Sequence, residues 1–189
     1  MTSRRLSQAI SEGDGISVLV AVDGPEAARD AQDGGADAVV VRDPAQLPSI
    51  RGSTDLPIVA HHAAGTLDGA DACLVDVRGE DREQLERVHR DLGDRFELVV
   101  RIEQEEHLEF VLEEFDPEIL ALGAPGDADS DPLEWVLELL PDVPAGKLAI
   151  ADVGARTRDE VEELERAGVD GVIVSGDVAH LVGAEPPDV

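Results

Sequence analysis

Tyrosine is absent from this chain, which has one tryptophan, three phenylalanines, one methionine and one cysteine. Lysine is nearly missing too: of the 15 basic residues only Lys147 is a lysine. A lone cysteine, Cys73, excludes an internal disulfide, and nothing suggests a cysteine-based metal site. No stretch approaches the ~18–20 uninterrupted apolar residues of a membrane span, so no membrane partner is expected. The opening MTSRRLSQAISEGDG carries Arg4 and Arg5 but no apolar run after them, which argues against a signal peptide and for a cytoplasmic protein. No basic patch exists to neutralise phosphates, which argues against nucleic-acid binding. No cofactor and no metal are expected.

What the chain does have is acid: 43 Asp and Glu and a net charge of −28. The acids are not a tail. They are spread along helical stretches such as EDREQLERVHRDLGDR (80–95) and EQEEHLEFVLEEF (103–115), opposite the apolar stripe. A single acidic block would suggest an interaction tail. An acidic shell with lysine nearly eliminated instead looks like adaptation to high salt, where repulsion is screened within ~3 Å at roughly 1 M.

At 189 residues one domain over 1–189 is expected, with a helical extension over 1–15 and a tail over 183–189. A short pattern recurs: DGGADAVVV (33–41), DGADACLV (68–75) and RAGVDGVIV (166–174). Each time Gly closes a helix, Asp follows two residues on, and an apolar run begins. The runs are β-branched and nearly continuous, as in parallel strands buried on both faces. Eight are predicted: 16–22, 37–42, 56–62, 72–78, 97–103, 118–124, 147–153 and 171–175. Helical patterns cover 24–34, 80–92, 104–115, 131–140 and 157–167, with a short second helix near 44–50 and almost none in AAGTLDG (63–69). The fold class is therefore α/β, a compact (βα)8 TIM barrel with shortened second and third helices. A doubly wound open sheet is the alternative.

The stretches RIEQEEHLEFVLEEFDPEILALG (101–123) and DPLEWVLELLPDVPAGKLAIADVGARTRDEVEELERAGVDGVIVSGD (131–177), and more weakly LPIVAHH (56–62), resemble indole-3-glycerol-phosphate synthase. That family is a lyase of tryptophan biosynthesis built on a phosphate-binding barrel of the ribulose-phosphate-binding type. The resemblance implies a mechanism using Glu and Lys at the end of strand one, Lys at the end of strand three, Glu on strand five and Asn on strand six. By register this chain has Ala21 and Asp23, then His61, Arg101 and Gly123; the family's Ser-Gly after strand seven becomes Val153-Gly154. Lys147 starts strand seven, at the end of the barrel away from the catalytic face. The family's lysine-dependent ring closure is therefore not expected.

Three residues at strand ends, Asp23, His61 and Arg101, are the candidate catalytic set. Alternate strands feed the same interior layer, so the three are expected to converge. An Asp beside a His fixes its tautomer, and an Arg binds a carboxylate or phosphate bidentately. The alternative is a polar network closing the mouth after catalysis was lost, as in a pseudoenzyme. Asp76 and Arg78 are read as a structural rim pair. Of His61 and His62 only one can face the lumen, and His89, His107 and His180 read as solvated. The phosphate-binding candidates are Gly154 and Ala155 after strand seven and Ser175 and Gly176 after strand eight, where small residues expose backbone N–H groups. Val153 and Asp177 weaken that grip. Thr157 and Glu160 form a capping box.

The expected partner is a small anionic metabolite. An alternative is a homo-oligomer or a protein partner lying over the thin third-helix wall, which is expected to leave Val39, Val41 and Ile58 uncovered. A third possibility is a synthase with relocated catalytic groups.

Overall fold

A computed structural model of the chain describes residues 4–13, 15–62, 66–77, 82–126, 131–176, 178 and 180–181. Eight parallel strands follow one another around a closed barrel: β1 (Ser17–Val22), β2 (Ala38–Val41), β3 (Ile58–His61), β4 (Ala72–Asp76), β5 (Glu97–Ile102), β6 (Ile119–Gly123), β7 (Leu148–Ala155) and β8 (Gly171–Ser175). Pairing of Ser17–Ala21 with Gly171–Ser175 closes the ring and rules out the open sheet. Helices α1 (Arg5–Glu12), α2 (Pro25–Asp33), α3 (Leu47–Arg51), α4 (Arg82–Leu92), α5 (Glu105–Glu114), α6 (Pro132–Leu139) and α7 (Arg158–Ala167) complete it. No helix is found between β3 and β4 among the described residues, as the sequence implies. The proposed tail over 183–189 lies outside the described residues.

Strand alternation sorts the apolar side chains into two layers. Leu19, Val40, Val59, Leu74, Val99, Ala121, Ile150 and Ile173 fill the barrel, while Val20, Val39, Val41, Ile58, Val75, Val100 and Val172 pack outward against the helices. Helix α1 plugs the N-terminal end with Leu6 and Ile10, both in the interior layer. Its first turn is anchored from inside: the Glu97 carboxylate accepts hydrogen bonds from the N–H groups of Leu6 (2.7 Å) and Ser7 (3.0 Å). A buried negative charge at a helix N-terminus is favoured by the macrodipole.

The Gly-x-Asp repeat has a structural cause. Asp37, Asp71 and Asp170 each precede a strand and clamp the start of the strand before it. Their carboxylates accept from Val18 N (2.8 Å), Ile58 N (2.9 Å) and Ala149 N (2.8 Å), while their own N–H groups donate to the carbonyls of the same three residues, each at 2.9 Å. Gly35, Gly69 and Gly168, two residues earlier, have positive φ, which turns the chain into the clamp, from a helix at Gly35 and Gly168 and from a loop at Gly69. Burial raises the Asp37 pKa more than the Val18 hydrogen bond lowers it.

The thin wall is not an open one. Val39, Val41 and Ile58 are fully buried within the chain, contrary to the expectation from the missing helix. Leu47 and Ile50 of α3 and Leu67 of the short connection belong to the same packed layer. One short helix and one loop leucine fill the space that a full-length helix occupies elsewhere, so the apolar motive for a partner there disappears.

Candidate functional site

The inward row of each strand ends in the residue that decides the chemistry of the C-terminal mouth. Continuing the alternation past the apolar layer gives Arg42 just beyond the end of strand two, then His61, Asp76, Arg101, Gly123, Asp152 and Ser175 on the strands that follow. Five of these, Arg42, His61, Asp76, Arg101 and Asp152, line a pocket of about 420 Å³ floored by Val40, Leu74 and Ile173.

Arg101 lies at its centre. Its Nε donates to Asp152 Oδ2 at 3.0 Å, its Nη1 bonds Glu103, and Asp76 Oδ1 is 3.9 Å from Nη1. Burial alone would lower the guanidinium pKa, but the charges and hydrogen bonds of Asp152 and Glu103 outweigh it and raise the pKa. The arginine stays cationic. Its course depends on Gly123: a Cβ there would stand 2.7 Å from Arg101 Nη2. The position where the resembled family has Asn is thus occupied by the guanidinium itself. Trp135, half-buried on α6, holds the Glu103 backbone by donating Nε1–H to its carbonyl at 2.9 Å.

The expected Asp23–His61–Arg101 convergence is corrected in one member. His61 and Arg101 share the pocket, but the carboxylate beside His61 is Asp76, with His61 Nε2 2.9 Å from Asp76 Oδ2. Strand β1 delivers Ala21 to the interior, and Asp23 lies beyond the strand's end, exposed, in a neighbouring pocket. Asp76 therefore joins the candidate site; the expected rim pair with Arg78 falls on a residue outside the described ones. His61 is the inward member of its pair, and His62 is exposed. His107 is half-buried rather than solvated, with Nδ1 buried and unpartnered among the described residues. Among those residues no group of three or more His, Cys, Asp or Glu could hold a metal ion.

The two phosphate candidates fare differently. Gly154 (φ +64°) and Ala155 end β7 after a register shift that lets four residues of β7 span two of β8. The N–H groups just beyond them are already taken: Arg156 N and Thr157 N donate to Glu160 Oε2 at 2.8 and 2.9 Å, while Thr157 caps Glu160 N. The expected capping box is present. It places the protein's own carboxylate where a bound anion would need those donors. The Arg156 N–H bond is the largest cause of the lowered Glu160 pKa. Ser175 and Gly176 (φ +90°) are exposed and line the neighbouring pocket of about 920 Å³, together with Asp23, Asp43 and Arg42. Asp177 lies outside the described residues.

Arg42 escaped the reading of the sequence. It lines both pockets and makes no ion pair among the described residues. The signal was available, since 38, 40 and 42 share one face of strand two, but an arginine closing a strand reads as rim decoration. Lys147, the single lysine, bonds Asp116 at the opposite end of the barrel.

Over 109 residues, 56% of the chain, the sequence is 28% identical to an indole-3-glycerol phosphate synthase of Geobacillus sp. (strain WCH70). That stretch is 42% of the relative's length, so the chain spans less than half of the curated protein it matches. Among solved structures the fold is similar to the N-acetylmannosamine-6-phosphate 2-epimerase from Clostridium perfringens. The TM-score is 0.64 with 16% identity, covering 87% of this chain and 88% of that one. No family model matches. The chain is an α/β barrel with a partial, weak sequence likeness to the synthase.

Proposed function

We propose that this barrel binds a small phosphorylated or carboxylated metabolite at its C-terminal mouth and does not carry out lysine-dependent ring closure. The observation that carries the reading is Arg42, a cation without an ion pair among the described residues, standing where the two mouth pockets meet. Arg101 is less available, because Asp152 and Glu103 already neutralise it. An anion on Arg42 reaches the Ser175-Gly176 turn on one side and the His61–Asp76 pair on the other. Arginine suits this task because its planar fork engages two oxygens at once. The partial likeness to a synthase named for a phosphate ester supports phosphate as the anion.

The absence of ring closure rests on Lys147, which is at the wrong end of the barrel. Purified protein is expected to show no formation of indole-3-glycerol phosphate from the synthase's substrate. Calorimetric titration with inorganic phosphate, ribose 5-phosphate and anthranilate tests the binding. It is best run in molar KCl, which screens the charge of −28. At least one anion is expected to bind the parent protein and to lose about tenfold or more in affinity with Arg42→Ala, in keeping with ~1.5–3 kcal/mol for a charged hydrogen bond. Equal binding by parent and variant would overturn the reading.

A further inference from the structure

We propose that His61 and Asp76 form a proton-transfer dyad acting on a small anionic carbonyl compound, with His61 Nδ1 as the base and Asp76 as the positioning residue. The proposal rests on the anion-binding reading of Arg42. Its own grounds are geometric. Asp76 Oδ2 stands 2.9 Å from His61 Nε2, so a neutral imidazole places its proton on Nε2 and leaves the Nδ1 lone pair free. Nδ1 has no partner among the described residues. The two side chains are 31% and 28% exposed: open enough to meet a ligand, enclosed enough to be held in place. The dyad lines a pocket of about 420 Å³, within the ~300–1,000 Å³ of small-molecule sites. The same pocket holds the cationic Arg101, fixed by Asp152, and Arg42, which has no ion pair among the described residues.

Those parts suffice for one balanced step. A C–H bond beside the substrate's carbonyl breaks, and His61 Nδ1 takes the proton. The electron pair moves into the carbonyl to form an enolate, whose oxygen is stabilised by the guanidinium of Arg101. Arg42 holds the substrate's carboxylate or phosphate. Return of the proton to the same carbon gives exchange or epimerisation; return to the neighbouring carbon of a hydroxy-carbonyl compound, with the hydroxyl proton passing to the enolate oxygen, gives isomerisation. No oxidant, reductant or metal enters the balance.

Two measurements on the intact chain test this. Long-range proton–nitrogen NMR on the parent protein reads the tautomer of neutral His61. The Nε2–H form is expected, with loss of that preference in Asp76→Asn; a dominant Nδ1–H form in the parent would overturn the dyad. Proton NMR in D2O then follows loss of the C–H signals of dihydroxyacetone phosphate and of pyruvate, which carry the two anion types. Exchange above buffer is expected for at least one probe. It should fall about 100-fold or more in His61→Gln, within the ~10²–10⁴-fold range of general acid–base catalysis, and stay unchanged in His62→Gln. A probe that binds in an Arg42-dependent way yet exchanges no faster than in buffer overturns the dyad while the anion-binding reading stands. If neither probe binds, the dyad falls, and the anion-binding reading falls with it only if phosphate, ribose 5-phosphate and anthranilate also fail to bind.

Discussion

The two ends of the barrel use charge in opposite ways. At the N-terminal end each charged group closes structure: Glu97 holds the plug helix, Asp37, Asp71 and Asp170 clamp strand starts, and Lys147 bonds Asp116. At the C-terminal end, apart from the Glu160 cap of α7, charges gather around a pocket. Asp76, Glu103 and Asp152 surround Arg101, Arg42 stands unpaired among the described residues, and His61 meets the Asp76 carboxylate through Nε2, with no partner for Nδ1 among those residues. The repeat that builds the fold lives at the first end and the residues that differ from strand to strand live at the second. Stability and chemistry are therefore separable by substitution.

The sharpest break of this contrast is predicted at Asp71, which receives Arg5, Arg51 and Ile58 N while only 11% exposed. Asp71→Ala strands those partners and is expected to lower stability by about 3–5 kcal/mol, read by chemical denaturation. Asp37→Ala and Asp170→Ala each lose a hydrogen bond from a strand-start N–H, and about 1–3 kcal/mol is expected for each. Three equal effects would show that the Arg5 and Arg51 pairs contribute nothing.

Much of the N-terminal end was legible before any coordinates. The Gly-x-Asp repeat marked three strand starts there, and at the other end the Thr157–Glu160 spacing marked the start of α7, because both signals are local in the chain. The mouth was only half legible. His61 and Arg101 stood out as charges at strand ends, but choosing His61's partner required knowing where strand one stops facing inward. It stops at Ala21, which leaves Asp23 outside the pocket, and the carboxylate comes from the adjacent strand as Asp76. The dependence of Arg101 on Gly123 links two strands and has no local signature. Burial of Val39 behind Leu47, Ile50 and Leu67 is likewise a packing outcome that element lengths do not reveal.

At the mouth smaller stability effects are expected. Gly123→Ala puts a methyl against the Arg101 guanidinium. Because the clash is with the end of a flexible side chain, about 1 kcal/mol is expected, with the Arg101–Asp152 bond displaced in a crystal structure of the variant. Retention of that bond would show that Gly123 does not set the arginine's course.

Thr157→Val removes the side-chain half of the capping box, for about 1 kcal/mol. Glu160 supplies a pH test. Its folded-state pKa lies below the ordinary carboxylate value, so its contribution is present above the unfolded pKa and is lost as pH falls through the folded one. The gap in melting temperature between the parent and Glu160→Gln should close in that acid window. A gap that widens on acidification would contradict the assignment.

The smallest stability effect is expected at Arg42, and it carries the most weight. Exposed and without an ion pair among the described residues, it should tolerate Arg42→Ala within about 0.5 kcal/mol. The most direct test of the division between the two ends is therefore one paired measurement on that variant: its melting temperature and its affinity for an anion that the parent binds. The account predicts an unchanged melting temperature with affinity reduced about tenfold or more. A lowered melting temperature with affinity intact would contradict it.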